Sequence, residues 1–132
     1  MAQIRTPLGR ARGLGSSKHG VGHFIAQRVT AIALVLLIAW ALFSGYSLAS
    51  ADYDTAAAFL RSPLNAALAI LLALAAFWHM QIGMRVIIED YLARPATKAA
   101  CLVLNVFVTW LAGAVAILSI LKVALSSAGV SV

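Results

Sequence analysis

A single histidine, His79, lies deep inside an apolar run, and Asp90 and Tyr91 stand where that run gives way to charge. Neutral imidazole is a good iron ligand and is costly to leave unpaired in an apolar setting. An ionisable side chain at that depth is a candidate functional group by default. The plainer alternative is a histidine hydrogen-bonded to a neighbouring helix. Gly83 follows His79 by one helical turn on the same face. A glycine there removes bulk beside the imidazole and leaves room for a flat macrocycle, or for a close helix–helix contact. Asp90 returns to the same stripe, whereas Tyr91 is rotated from it by about 120° and lies roughly 18 Å further along a regular helix. That spacing predicts two neighbouring sites at different depths rather than one catalytic cluster. Tyr91 could donate its hydroxyl to a carbonyl of an amphipathic ligand, or serve as an interfacial belt residue. Asp90 could orient water or relay protons, or simply end the helix. Arg28, with His23 on the same side of the membrane, could pair with carboxylates; positive-inside topology and snorkelling account for the same charge without a ligand.

The chain has no phosphate-cradling glycine loop, no nucleophile–base pair and no paired carboxylates, so no catalytic residues are assigned and no complete reaction is expected of it alone. Its single cysteine, Cys101, has no intrachain disulfide partner and no metal-ligand spacing, and reads as a small packing residue.

The elements that must hold these residues are membrane spans. The 132-residue chain is 63% hydrophobic and 11% charged, with a net charge of +6, whereas soluble domains average about 25% charged residues. The basic residues form no stripe with interleaved aromatics, which argues against nucleic acid as a partner. Residues 29–48 contain no charge, and a helix of that length matches a hydrocarbon core of about 30 Å. Ala49-Ser50-Ala51 has the small-x-small pattern of a signal-peptidase site, but the apolar stretch before it is too long, so an uncleaved anchor is expected. The expected spans are 24–48, 64–88 and 99–125, forming an all-α membrane domain over 23–132 behind a basic, extended or partly ordered surface tail over 1–22. The tail's acid-poor, Arg- and Ser-containing character is also that of an organellar transit peptide. Asp54 is the expected cap of a short helical turn in the first loop. Ser62-Pro63 and Arg94-Pro95 mark a helix start and a helix break.

Of ten Lys and Arg residues, only Arg61 and Lys122 fall on the side opposite the tail and second loop. The amino terminus should therefore face the cytoplasm, or the matrix in a mitochondrion.

Two segments carry a family resemblance: Gly20-Val21-Gly22-His23-Phe24-Ile25-Ala26-Gln27-Arg28-Val29-Thr30-Ala31-Ile32-Ala33-Leu34, and His79-Met80-Gln81-Ile82-Gly83-Met84-Arg85-Val86-Ile87-Ile88-Glu89-Asp90-Tyr91. They resemble the hydrophobic membrane anchor subunits of succinate dehydrogenase, and the three-span layout agrees. The resemblance implies an anchor of succinate:ubiquinone oxidoreductase, respiratory complex II of the tricarboxylic acid cycle, in a bacterial or mitochondrial inner membrane. It implies a flavoprotein, an iron–sulfur subunit and a second three-helix cytochrome b anchor as partners, with haem b shared between the anchors and ubiquinone reduced nearby. By position, His79 matches the haem axial ligand and Tyr91 the tyrosine that hydrogen-bonds the quinone, with Asp90 beside it. Arg28 matches an arginine near the haem propionates and the quinone entrance. In some relatives the histidine near His23 lies one place earlier and is followed by an acid, so a propionate role is not carried over to His23. Two rivals are an anchor of quinol:fumarate reductase and a cofactor-free structural subunit. A pore or transporter would want several polar residues along one path, which the spans lack.

Overall fold

The computed structural model describes residues 6–11, 13 and 20–126. It is helical throughout its regular elements: α1 (Pro7–Ala11), α2 (Gly20–Leu48), α3 (Tyr53–Arg61), α4 (Pro63–Tyr91) and α5 (Pro95–Ala124). The helices α2, α4 and α5 are each long and apolar enough to cross a membrane. They extend somewhat beyond the expected spans, because helices continue into the headgroup region while the hydropathic signal stops at its edge. Most of the expected tail falls outside the described residues. Within it lies the short helix α1: Thr6 Oγ1 accepts the Gly9 N–H at 3.1 Å, an N-cap ahead of a proline. All three prolines of the sequence thus open helices, at Pro7, Pro63 and Pro95, where a missing N–H costs nothing.

One capping expectation is corrected. The N-cap of α3 is Asp52, whose carboxylate accepts the Thr55 N–H at 3.1 Å, and Asp54 lies in the first turn instead. The helix begins two residues earlier than expected because Asp52 has the extended backbone that a cap requires. Ser62 precedes Pro63 as expected, but its side chain makes no capping bond.

Helix α4 lies between α2 and α5, and α3 packs across α4 and α5 at one end. The buried positions are small or polar: Ala57 and Ala66, with Thr30, Ser44, Asn105 and Thr109, joined by Ile82 and Ile88. Large apolar side chains face outward instead, with Phe43 75% and Phe107 71% exposed. That arrangement would be unstable in water and is ordinary in lipid, where apolar burial between helices gains little and close backbone approach with interhelical hydrogen bonds takes over. On the α5 side, Asn105 Nδ2 donates to the Gln81 carbonyl at 2.9 Å. One face further along, a side chain at Gly113 would meet Phe77 carbons at 3.4 Å, so glycine there lets α4 and α5 close up.

Replacing Asn105 with alanine removes its interhelical bond to the α4 backbone at Gln81. The expected loss is about 0.6–1.7 kcal/mol, read as a lower unfolding midpoint in a detergent titration. An unchanged midpoint would show that packing alone sets the α4–α5 contact.

Candidate functional site

His79 sits on the face of α4 that meets α2 and is half-buried. Two α2 side chains hold its ring. Thr30 Oγ1 lies 3.0 Å from Nδ1, and Gln27 Nε2 lies 3.3 Å from the imidazole Nε2. Gln27 and Thr30 are three residues apart, which puts both on one face of α2. The plainer alternative for His79, a hydrogen-bonded tie between helices, is therefore part of what the fold contains. The manner of the tie leaves a second role open, because the amide nitrogen of Gln27 can only donate and so meets a lone pair on the imidazole Nε2.

His79 lines a cavity of about 560 Å³ together with His23, Gln27, Arg28 and Gly83 among others. Its volume lies within the roughly 300–1,000 Å³ range of ligand clefts. Gly83 adds space: a Cβ built there meets only the Gln27 amide nitrogen, at 3.6 Å. The Gln27 Oε1 atom is buried without a hydrogen-bond partner among the described residues. An unpaired buried carbonyl oxygen is unfavourable and points to a missing neighbour. Arg28 is exposed at the cavity, with its guanidinium 5.1 Å above the Phe24 ring. A separate apolar pocket of about 260 Å³ between α4 and α5 is lined by Phe77, Trp78, Thr109 and Trp110 and contains no ionisable side chain. The ionisable side chains line the first cavity instead.

The structure brings together His79, Gly83, Arg28 and His23. It does not bring Asp90 and Tyr91 to them. Both are exposed at the end of α4, Tyr91 at 83%, and neither lines the cavity. Helix α4 stays regular to Tyr91, so the separation of about 18 Å read from the spacing holds. Around that end, Arg85 pairs with Glu89 at 2.7 Å and Lys98 Nζ donates to the Glu89 carbonyl at 2.7 Å. These contacts tie the start of α5 to the end of α4 and occupy Glu89, leaving Asp90 and Tyr91 as the outward-facing pair. Cys101 is a half-buried free thiol near the start of α5.

The profile of the succinate dehydrogenase/fumarate reductase transmembrane subunit family matches residues 2–124. The chain belongs to that family. It is 33% identical over 90 residues to the succinate dehydrogenase hydrophobic membrane anchor subunit of Rickettsia bellii, covering 68% of this chain and 72% of the relative. The anchor subunit of Rickettsia conorii is 30% identical over 91 residues, covering 68% and 72%. That of Paracoccus denitrificans is 26% identical over 122 residues, covering 92% and 94%. The family expected from the two motifs is thus the family found, and the chain is a membrane anchor subunit of the succinate dehydrogenase type.

Within this anchor, reading the sequence singled out His79 and Gly83 but assigned no role to Gln27 or Thr30, although both lie in the first motif. The available signal was an uncharged polar pair at helical spacing beside an apolar run, the pattern that marks interhelical contacts in membranes. Asn105 and Thr109 on α5 carry the same signal.

Proposed function

We propose that this chain anchors a succinate:ubiquinone oxidoreductase in a bacterial inner membrane and contributes one axial ligand to haem b. The observation that carries the reading is His79, its Nε2 beside a movable amide donor, lining a cavity bordered also by a glycine and an arginine. Among the described residues no three His, Cys, Asp or Glu side chains converge. A lone imidazole suits an iron already held by a macrocycle, which asks the protein for axial nitrogens only. The unpartnered Gln27 Oε1 and the space at Gly83 fit a group entering beside the ring. When bound, haem b supplies one-electron transfer.

The residues of the chain then divide the work. His79 would hold the iron from the α4 side, and a second three-helix anchor, the cytochrome b subunit, would supply the opposite ligand. Gln27 would turn its amide away from the imidazole to admit the metal. Arg28 is within the same cavity and suits a propionate carboxylate through its planar fork. His23 lines the cavity too, at the mouth rather than beside the imidazole in sequence, and no role is given to it.

Ubiquinone would bind at the other depth, by Tyr91, whose exposed hydroxyl can donate to a quinone carbonyl, with Asp90 next to it. The basic residues around the amino terminus and second loop favour the cytoplasmic side for that site, where the flavoprotein and iron–sulfur subunits would dock. Electrons from succinate then reach quinone near Tyr91 without crossing the bilayer. The named relatives are succinate dehydrogenase subunits, which favours this direction over fumarate reduction.

In the assembled complex, replacing His79 with alanine should change the visible spectrum or midpoint potential of the haem; identical values would remove His79 as ligand. Tyr91→Phe should slow quinone reduction by roughly tenfold, the worth of one hydrogen bond of about 1.4 kcal/mol, with haem content intact. Equal turnover would move the quinone elsewhere. Gly83→Ala should leave haem content near normal, because a Cβ there makes only an ordinary contact, while Gly83→Leu should lower it sharply. Full haem content in the leucine variant would mean that the macrocycle does not lie over this face.

A further inference from the structure

We propose that Thr30 is a positioning residue for His79: its hydroxyl oxygen accepts the Nδ1 proton, so that Nε2 alone carries the lone pair offered to a metal. The inference rests on His79 acting as a haem ligand and goes one shell outward from it.

Threonine has one hydroxyl hydrogen. Thr30 Oγ1 stands 2.8 Å from the Ala26 carbonyl and 3.2 Å from that of Gln27. Carbonyl oxygens only accept, and the Ala26 contact is the shortest that the hydroxyl makes, so we assign its hydrogen there. Toward Nδ1, at 3.0 Å, the oxygen then presents a lone pair. Nδ1 is the protonated nitrogen in that arrangement. The other side of the ring agrees independently: the Gln27 amide nitrogen at 3.3 Å has hydrogens and no lone pair to share, so it needs a bare Nε2. The two contacts together point to the same tautomer, and it is the one a metal at Nε2 requires.

The position of the oxygen is also fixed. Thr30 is 7% exposed, and its bond to the preceding turn locks χ1. The acceptor is therefore rigid with respect to the α2 backbone, and it holds the plane of the imidazole as well as its proton. Donation to Ala26 further polarises the hydroxyl oxygen, which strengthens it as an acceptor. A hydrogen bond at the remote ring N–H raises ligand basicity. A more basic ligand stabilises oxidised iron over reduced iron, so this contact holds the haem potential down. Thr30 touches neither substrate nor iron and acts only through His79.

The test uses the intact complex. Thr30→Val keeps the branched shape and removes the acceptor; Thr30→Ala removes it without adding bulk; Thr30→Ser keeps a hydroxyl. The valine and alanine variants should retain a low-spin haem spectrum and show a more positive midpoint potential. A tenfold loss of preference for oxidised iron would read as about 59 mV for this one-electron couple. The serine variant should return the potential to that of the natural protein. Wild-type potentials in both the valine and alanine variants would overturn the proposal, leaving Thr30 as a plain helix tie. So would a serine variant displaced as far as the valine one, since the missing methyl rather than the hydroxyl would then be at work. His79→Ala separates the two levels. If it changes the haem while the Thr30 variants do not, only the Thr30 assignment falls. If it changes nothing, the ligand reading beneath it falls.

Discussion

An imidazole in the apolar interior of a membrane needs a partner for each of its ring nitrogens, and nearly everything else in this anchor is arranged around meeting that need. Both partners come from one face of α2. Thr30 Oγ1 stands 3.0 Å from one nitrogen and Gln27 Nε2 3.3 Å from the other. Because His79 belongs to α4, the same pair of bonds fixes the rotation of α4 against α2. A one-residue change in that rotation, about 100° on a helix, would leave a polar ring facing lipid.

The opposite face of α4 is held by different means. Asn105 reaches the Gln81 carbonyl, and Gly113 lets α5 close onto Phe77. The central helix is thus pinned on one side through its histidine and on the other through its own backbone. Apolar contact alone would specify neither, because a leucine is as well solvated by lipid as by another helix. The many outward-facing aromatic and aliphatic side chains therefore add membrane affinity and surface for neighbouring subunits, while a few buried polar groups set the internal geometry.

Position along α4 separates His79 from Asp90 and Tyr91. The imidazole lies among apolar turns, where a metal-held macrocycle would be shielded from water. Tyr91 and Asp90 lie at the end, beside Arg85, Glu89 and Lys98, where water and a soluble partner can reach them. A regular helix between the two keeps their spacing fixed, so one element can serve an electron carrier and its acceptor without either entering the other's site.

Three spans, the helix start at Pro63, the break at Arg94-Pro95 and the family were all legible in the amino-acid sequence. Each depends on information local to one stretch of chain: hydropathy over a window, a proline's missing N–H, a motif's spacing. The cap at Asp52 in place of Asp54 and the helix at Pro7 were local too, but there two acceptors or two conformations competed and small backbone differences decided. The partners of His79 were of another kind. Period and spacing say which face of its own helix a side chain occupies, and nothing in them says which residues of a second helix stand opposite. That depends on how α2 and α4 slide and rotate against each other, and only packing sets it. Hence Thr30 and Gln27, in plain view within a recognised motif, acquired their meaning from the tertiary structure.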